Sequence, residues 1–146
     1  MFENPGRDER CALLKRVKNI AVVGLSPNPA RPSHGVSAAL KGFGYTVIPV
    51  HPAVKEVLGA KAYARLADID VPVDLVDVFR QPQFVSGIVD ECIALGFKAI
   101  WLQDGVIDEA AAERARAAGM FVVMDRCIYR DYKNEYLRQS APTLNR

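Results

Sequence analysis

The chain has little of what would make it a disulfide scaffold, a metalloprotein or a membrane protein. Its three cysteines, Cys11, Cys92 and Cys127, are odd in number, far apart in sequence and form no C-x-x-C pair. That argues against a disulfide framework and against a zinc site. There are two histidines, His34 and His51, and they cluster with no other metal-ligating residues, so no metal centre is expected. No apolar run approaches the roughly 18 residues of a membrane span. The first ten residues, Met1 to Arg10, are too polar and charged for a signal peptide, so a cytoplasmic location is expected. A net charge of only +2 gives no global reason to bind nucleic acid or a membrane surface. Internal repeats, low-complexity tracts and interdomain linkers are also missing.

The 146 residues fit one domain spanning 1–146, with an N-terminal helix within 1–17 and a polar tail over 131–146. A chain of this length buries roughly 70% of its unfolded surface, enough for a core without staples. Half the residues are apolar, arranged as short β-branched runs alternating with helical stretches. Strands are expected at Ile20–Val23, Thr46–Val50, Val73–Phe79, Ala99–Leu102 and Phe121–Met124, apolar enough to be covered on both faces. Helices are expected at Asp8–Val17, Val36–Phe43, Pro82–Leu95 and Asp108–Ala118. Glycine follows three of them, at Gly44, Gly96 and Gly119, as a helix terminator does. Pro82 suits a first helical turn and Asp108 an N-cap. The stretch Ala53–Val71 is less regular, with a short helical turn at Leu66–Ile69. The tail from Asp131 is expected either to pack as a short helix through Tyr132, Tyr136 and Leu137 or to fray. This pattern predicts an α/β fold: a Rossmann-like, doubly wound, parallel five-stranded sheet with helices on both faces and strand order 3-2-1-4-5. Asp77 would then lie on an edge strand, because a buried unpaired carboxylate is costly. The topological switch would set Gly24–Ser26 beside Gln103-Asp104-Gly105.

The first strand ends at Gly24, and a polar loop carrying Arg31 and His34 leads into a helix. A loop of this kind presents backbone N–H groups and a helix N-terminus to phosphate. The dinucleotide fingerprint G-x-G-x-x-G is incomplete, since Gly24-Leu25-Ser26 lacks the second glycine. The second strand runs into Pro49-Val50-His51-Pro52 with no carboxylate for a ribose hydroxyl pair. Both departures count against NAD. No Gly-Lys-Ser or Gly-Lys-Thr follows Gly24, so there is no P-loop either.

Five blocks in order resemble a known family: Ile20–Gly24 with Ser26, Arg31-Pro32-Ser33 and Gly35-Val36; Val47–Pro52; Val76–Arg80; Trp101–Gln103 with Gly105; and Asp125-Arg126-Cys127. Together they look like the stand-alone CoA-binding proteins, which are similar to the N-terminal CoA-binding domain of the succinyl-CoA synthetase α subunit. The resemblance covers about Lys18 to Lys133. It implies coenzyme A as cofactor, held at the carboxyl ends of the strands. The turn of Gly24, Leu25 and Ser26 would meet the pyrophosphate, and Arg31 would pair with a phosphate. His51 and Pro52 would accept a phosphorylated ribose. Val78, Phe79 and Arg80 would wall the adenine, and Gln103 would hydrogen-bond the pantetheine amides. The sequence departs from the family in two places: His51 stands where asparagine is common, and Asp104 puts a carboxylate beside the proposed thiol end.

No catalytic constellation is identified. Cys127 beside Arg126 has no identifiable base; a mixed disulfide with bound CoA is the softer expectation for it. Asp108 and Glu109 are better explained by helix capping than by acid–base chemistry, and Trp101 by burial in the core. The chain is too short for the synthetase's further domain, so the full ligase reaction is not expected. The reading is a binder of CoA or acyl-CoA without self-contained catalysis. Its alternatives are a component of a CoA-dependent ligase or transferase that needs a partner, and an NAD(P)-binding redox domain. The expected partner is a small molecule; a homodimer is left open.

Overall fold

The apolar runs assemble into one twisted parallel sheet in a computed structural model that describes residues 1–140, with nothing described of the side chains of 139 and 140. In chain order the elements begin with α1 (Arg7–Arg16), β1 (Asn19–Val23), α2 (Pro32–Gly42) and β2 (Thr46–Val50). A small hairpin of β3 (Glu56–Val57) and β4 (Ala60–Lys61) follows, then a 3₁₀ turn at Leu66–Asp68 and β5 (Leu75–Val78). After these come α3 (Val85–Leu95), entered through a 3₁₀ turn at Pro82–Phe84, then β6 (Ala99–Leu102), α4 (Glu109–Ala117) and β7 (Phe121–Val123). The last described segment is α5 (Ile128–Asp131), which continues through a π turn at Tyr132–Tyr136 into α6 (Leu137–Ser140). The part of the tail at 141–146 lies outside the described residues. Among the described residues, no helix is long and apolar enough to cross a membrane.

The large sheet has the order β2-β1-β5-β6-β7, all parallel. This is the Rossmann-like α/β architecture expected. With the short segment at Tyr63 counted as a third position, the order reads 3-2-1-4-5-6 and contains the expected 3-2-1-4-5 pattern. That segment bridges Val50 in parallel, with His51 N–H donating to Tyr63 O and Tyr63 N–H donating to Pro49 O, both at 2.9 Å. It takes the third place, outside β2. The run Val73–Phe79, expected as the third strand at the edge, instead becomes β5 and lies centrally between β1 and β6. Two corrections follow. Asp77 is fully buried in mid-sheet, between Val22 and Trp101 in register. The neighbour of Gly24 at the switch is Phe79–Arg80, with Gln103 one strand further on.

Side chains alternate across each strand, so the sheet carries two core layers. One layer places Ile20, Val22, Leu75, Trp101 and Val123 against Leu13 and Leu14 of α1, Leu40 of α2 and Ile128 of α5. The other places Ala21, Val76, Val78, Ile100 and Val122 against Val85 and Val89 of α3 and Ala111, Ala112 and Ala115 of α4. The alanine face of α4 lets that helix sit close to the sheet. Asp108 caps it, its Oδ1 accepting from Ala111 N–H at 3.0 Å. In the hairpin, Leu58 and Gly59 both have positive φ, as a two-residue type I′ turn requires. Lys41, in the last turn of α2, donates to Leu58 O at 2.7 Å and fastens the hairpin.

The C-terminal helix is tied to α1 by charge. Arg10 Nε donates to Asp131 at 3.0 Å and Arg10 Nη2 to Glu135 at 2.7 Å, while Arg126 reaches the same two carboxylates. Arg10 and Asp131 are both buried. Phe43 stacks on Tyr132 at 3.9 Å between ring centroids, so α2 holds the same segment by aromatic contact. This attachment brings Cys127, Tyr129 and Arg130 to the carboxyl end of the sheet.

Candidate functional site

At the carboxyl edge, β1 ends in a glycine because no other residue fits there. Gly24 has φ +86°, and a Cβ at this position would lie 2.6 Å from the Phe79 carbonyl oxygen and 2.9 Å from Arg80 Cδ. The loops after β1 and β5 therefore touch backbone to backbone. Gly24 N–H donates to Val50 O and Phe79 N–H to Val23 O, extending the ladder up to the turn. A cavity of about 290 Å³ opens here, lined by Gly24, Ser26, Arg31, Pro32, Ser33 and Phe79.

The loop that follows is internally braced. Ser26 N–H donates to the buried Ser33 Oγ at 2.9 Å, Ser26 Oγ accepts from Asn28 N–H at 3.0 Å, and Asn28 Oδ1 accepts from Ala30 N–H at 2.9 Å. Pro32 occupies the first turn of α2, where its missing N–H costs nothing. That turn contains no acidic residue, so the positive end of the helix dipole is uncompensated. The exposed Arg31 guanidinium has no ion-pair partner among the described residues.

A second cavity of about 820 Å³ adjoins the first, sharing Pro32 and Phe79. Val36, Arg80, Gln103, Cys127, Tyr129 and Arg130 also line it. Arg80 lies over the Phe84 ring at 3.9 Å, a cation–π contact that holds its guanidinium at the rim. Asp104 and Arg130 are ion-paired across another part of the rim. Asp125, with φ +60°, accepts from Gly105 N–H at 2.8 Å and fixes the loop after β6. Aspartate tolerates this left-handed conformation better than most residues do. Gln103 is nearly buried, and its Nε2 donates to Asp77 Oδ1 at 2.6 Å. Burial pushes the Asp77 carboxyl up to about 7, and the Gln103 hydrogen bond partly opposes the rise.

Gly24, Ser26, Arg31, Phe79, Arg80 and Gln103 are thus brought together along one continuous cleft. The other expected site residues are placed differently. Leu25 and Val78 are fully buried, Val78 in the layer under α3 and α4, so neither side chain faces the cleft. The His51 ring turns back on its own loop, Nδ1 accepting from Ala53 N–H at 3.0 Å, and Pro52 is exposed in that turn. Neither lines either cavity, and nor does His34. Sequence reading missed Ser33 as the brace of the loop, and Val36, Tyr129 and Arg130 as wall residues. Tyr129 and Arg130 carry no local signal, because only the packing of α5 brings them to the cleft.

A parallel doubly wound sheet with a glycine turn, a helix N-terminus and a cleft at its switch point is a Rossmann-like domain, the kind of sheet that takes ligands beyond the carboxyl ends of its strands. The chain belongs to the CoA-binding domain family, whose pattern matches residues 18–133. It is 42% identical over 127 residues to the protein YneT of Bacillus subtilis, covering 87% of this chain and 94% of that one. A solved structure of a protein from Pyrococcus horikoshii superposes with a TM-score of 0.86 at 34% identity, covering 92% of this chain and 99% of that one. The chain is also 27% identical over 121 residues to an ADP-forming acetate–CoA ligase of Archaeoglobus fulgidus. That match takes in 76% of this chain but spans only 18% of the ligase.

Proposed function

We propose that the cleft binds coenzyme A, free or acylated, without self-contained catalysis. The observation that carries the reading is the continuous cleft running from the Gly24 turn and the uncompensated α2 N-terminus to Gln103 and Cys127. One end offers positive potential and the unpaired Arg31 to phosphate; the other is long and mostly apolar, suited to the pantetheine arm. The volume of about 820 Å³ lies in the usual range of roughly 300–1,000 Å³ for small-molecule sites. The pyrophosphate sits at the Gly24–Ser26 turn, with Arg31 on a phosphate. Leu25 contributes main chain only. Phe79 and Arg80 form the adenine wall, with Val78 behind it as support. His51 and Pro52 face the phosphorylated ribose only if their loop opens.

A ligase or transferase component that needs a partner is the second reading, favoured by the match to the acetate–CoA ligase. An NAD(P) domain is disfavoured by the single glycine and by His51 in place of an acid. Titration calorimetry with CoA, acetyl-CoA, NAD and NADP tests the proposal. Saturable binding of CoA at one site per chain, tighter than NAD or NADP, is expected; tighter binding of NAD overturns the reading.

A further inference from the structure

Among the described residues, Asp77 is the one carboxyl fully buried within the sheet, and it is joined to the cleft through Gln103, which lines it. Its Oδ1 accepts from Gln103 Nε2, and its Oδ2 has no hydrogen-bond partner. The residues beside it in register, Val22 and Trp101, offer no charge. Of the elements packed on its face, β1 and β6 carry no ionisable residue, and α2 carries His34 and Lys41, the latter engaged with Leu58 O. In α1 and the C-terminal helix, Arg10 is committed to Asp131 and Glu135. The charged groups around the cleft are Arg31, Arg80, Asp104 and Arg130, with Asp125 and Arg126 in a neighbouring cavity, yet burial and the Gln103 hydrogen bond are what shape the ionisation of Asp77.

A carboxylate can only accept hydrogen bonds, so an ionised Asp77 requires Gln103 to turn its NH₂ inward. The amide oxygen then faces the cleft. A protonated Asp77 must place its O–H, and Oδ2 makes no hydrogen bond. The proton is best satisfied on Oδ1, where Gln103 is the partner among the described residues. Accepting it means that the amide turns over and points its NH₂ into the cleft.

We propose that Asp77 is a positioning residue that decides which end of the Gln103 amide faces the cleft. As a carboxylate it presents the Gln103 oxygen, selecting a ligand that donates an N–H at that point; on taking a proton it reverses that preference. The choice of a pantetheine amide N–H as the selected group rests on the CoA reading above; the amide reversal itself does not. Asp77 touches no ligand and acts through Gln103.

The ligand-free test is the ¹⁵N–¹H spectrum of the glutamine side chains in the intact protein between pH 5 and 9, with Gln103 assigned by Gln103→Asn. The Gln103 NH₂ resonances of the unmodified chain are expected to shift in one sigmoidal step, and those of Asp77→Asn to stay flat. A flat Gln103 signal in the unmodified chain overturns the proposal, whether or not any variant folds. The second measurement is the CoA dissociation constant across the same range. The ratio of the unmodified chain to Asp77→Asn cancels titration of the ligand phosphates, His34 and His51. That ratio should change by roughly three- to tenfold, the span of one neutral hydrogen bond, with the tighter binding at high pH. Superposable profiles overturn the selection of an N–H donor. Absence of CoA binding at every pH overturns the CoA reading, and the amide titration alone then decides the role of Asp77.

Discussion

Replacing Gly24 with alanine probes the contact on which the cleft is built. The new methyl group would sit 2.6 Å from the Phe79 carbonyl oxygen, at a backbone φ of +86°. The left-handed conformation alone costs an L-residue roughly 1–2 kcal/mol. The overlap cannot be relieved by a side-chain rotation, because the nearest atom belongs to the backbone of the β5 loop. Forcing that loop away costs about 1–3 kcal/mol more. The expected loss of stability is therefore about 2–5 kcal/mol. The assay is urea unfolding followed by the fluorescence of Trp101, the single tryptophan and fully buried. Gly87→Ala is the control: Gly87 lies in α3 with nothing within 4 Å of its Cβ position. It should gain about 0.5–1 kcal/mol from helix propensity. Gly24→Ala protein that remains folded should bind CoA at least tenfold more weakly, because Phe79 and Arg80 are displaced together. A destabilisation below about 1 kcal/mol, within the ordinary range of substitutions, would refute the reasoning if CoA affinity were also unchanged.

Further outcomes follow from single side chains. Arg31→Ala and Arg80→Ala should each weaken CoA binding by about 1.5–3 kcal/mol in calorimetry if they bond phosphate, and an unchanged affinity removes that residue from the site. Asp131→Ala leaves the buried Arg10 short of a carboxylate. It should cost about 3 kcal/mol and lower Tm by on the order of 10 °C in a thermal melt; a change of a degree or two would show that the network adds little. Asp77, pushed up to about 7 from 3.8, binds its proton more tightly in the folded chain than in the unfolded one. Native protein therefore holds the extra proton between about pH 4 and 7, and stability falls as pH rises through that window, by on the order of 4 kcal/mol. Asp77→Asn lacks this dependence, so its stability relative to the unmodified chain should improve from pH 4 to pH 8 in urea titrations. A constant difference would mean that Asp77 is not the titrating group.

Local structure was legible where residue type and period agreed. Thr46–Val50 and Ala99–Leu102 are strands over the full expected range, because short β-branched or apolar runs bounded by polar residues have few other uses. The helix expected from Val36 starts instead at Pro32, since Pro-Ser-His-Gly reads as loop until proline is allowed in the first turn. Strand pairing was less legible. The segment in third place at Tyr63 contributes an isolated bridge and no apolar run, so it leaves no pattern to read. Missing it moved Val73–Phe79 to the edge. The cost of a buried carboxylate then favoured that placement, although Gln103, 26 residues away in sequence, partners Asp77 and the carboxyl is pushed toward neutrality.

The cleft shows the same division. Gly24, Ser26, Arg31, Phe79, Arg80 and Gln103 lie at strand ends or in the loop beside them, and strand ends are visible in sequence. Leu25 and Val78 sit at the same ends but alternate into the core, an orientation that depends on register. Tyr129 and Arg130 come from a helix whose position is set by the Arg10–Asp131 pair and the Phe43–Tyr132 stack, contacts between distant parts of the chain.

The central claim is tested most directly by a crystal structure of the chain grown with CoA. The account predicts pyrophosphate density at the Gly24–Ser26 turn within hydrogen-bonding reach of Arg31, the adenine against Phe79 and Arg80, and the pantetheine arm passing Gln103 toward Cys127. CoA density elsewhere on the surface, with the cleft between β1, β5 and β6 empty, would contradict it.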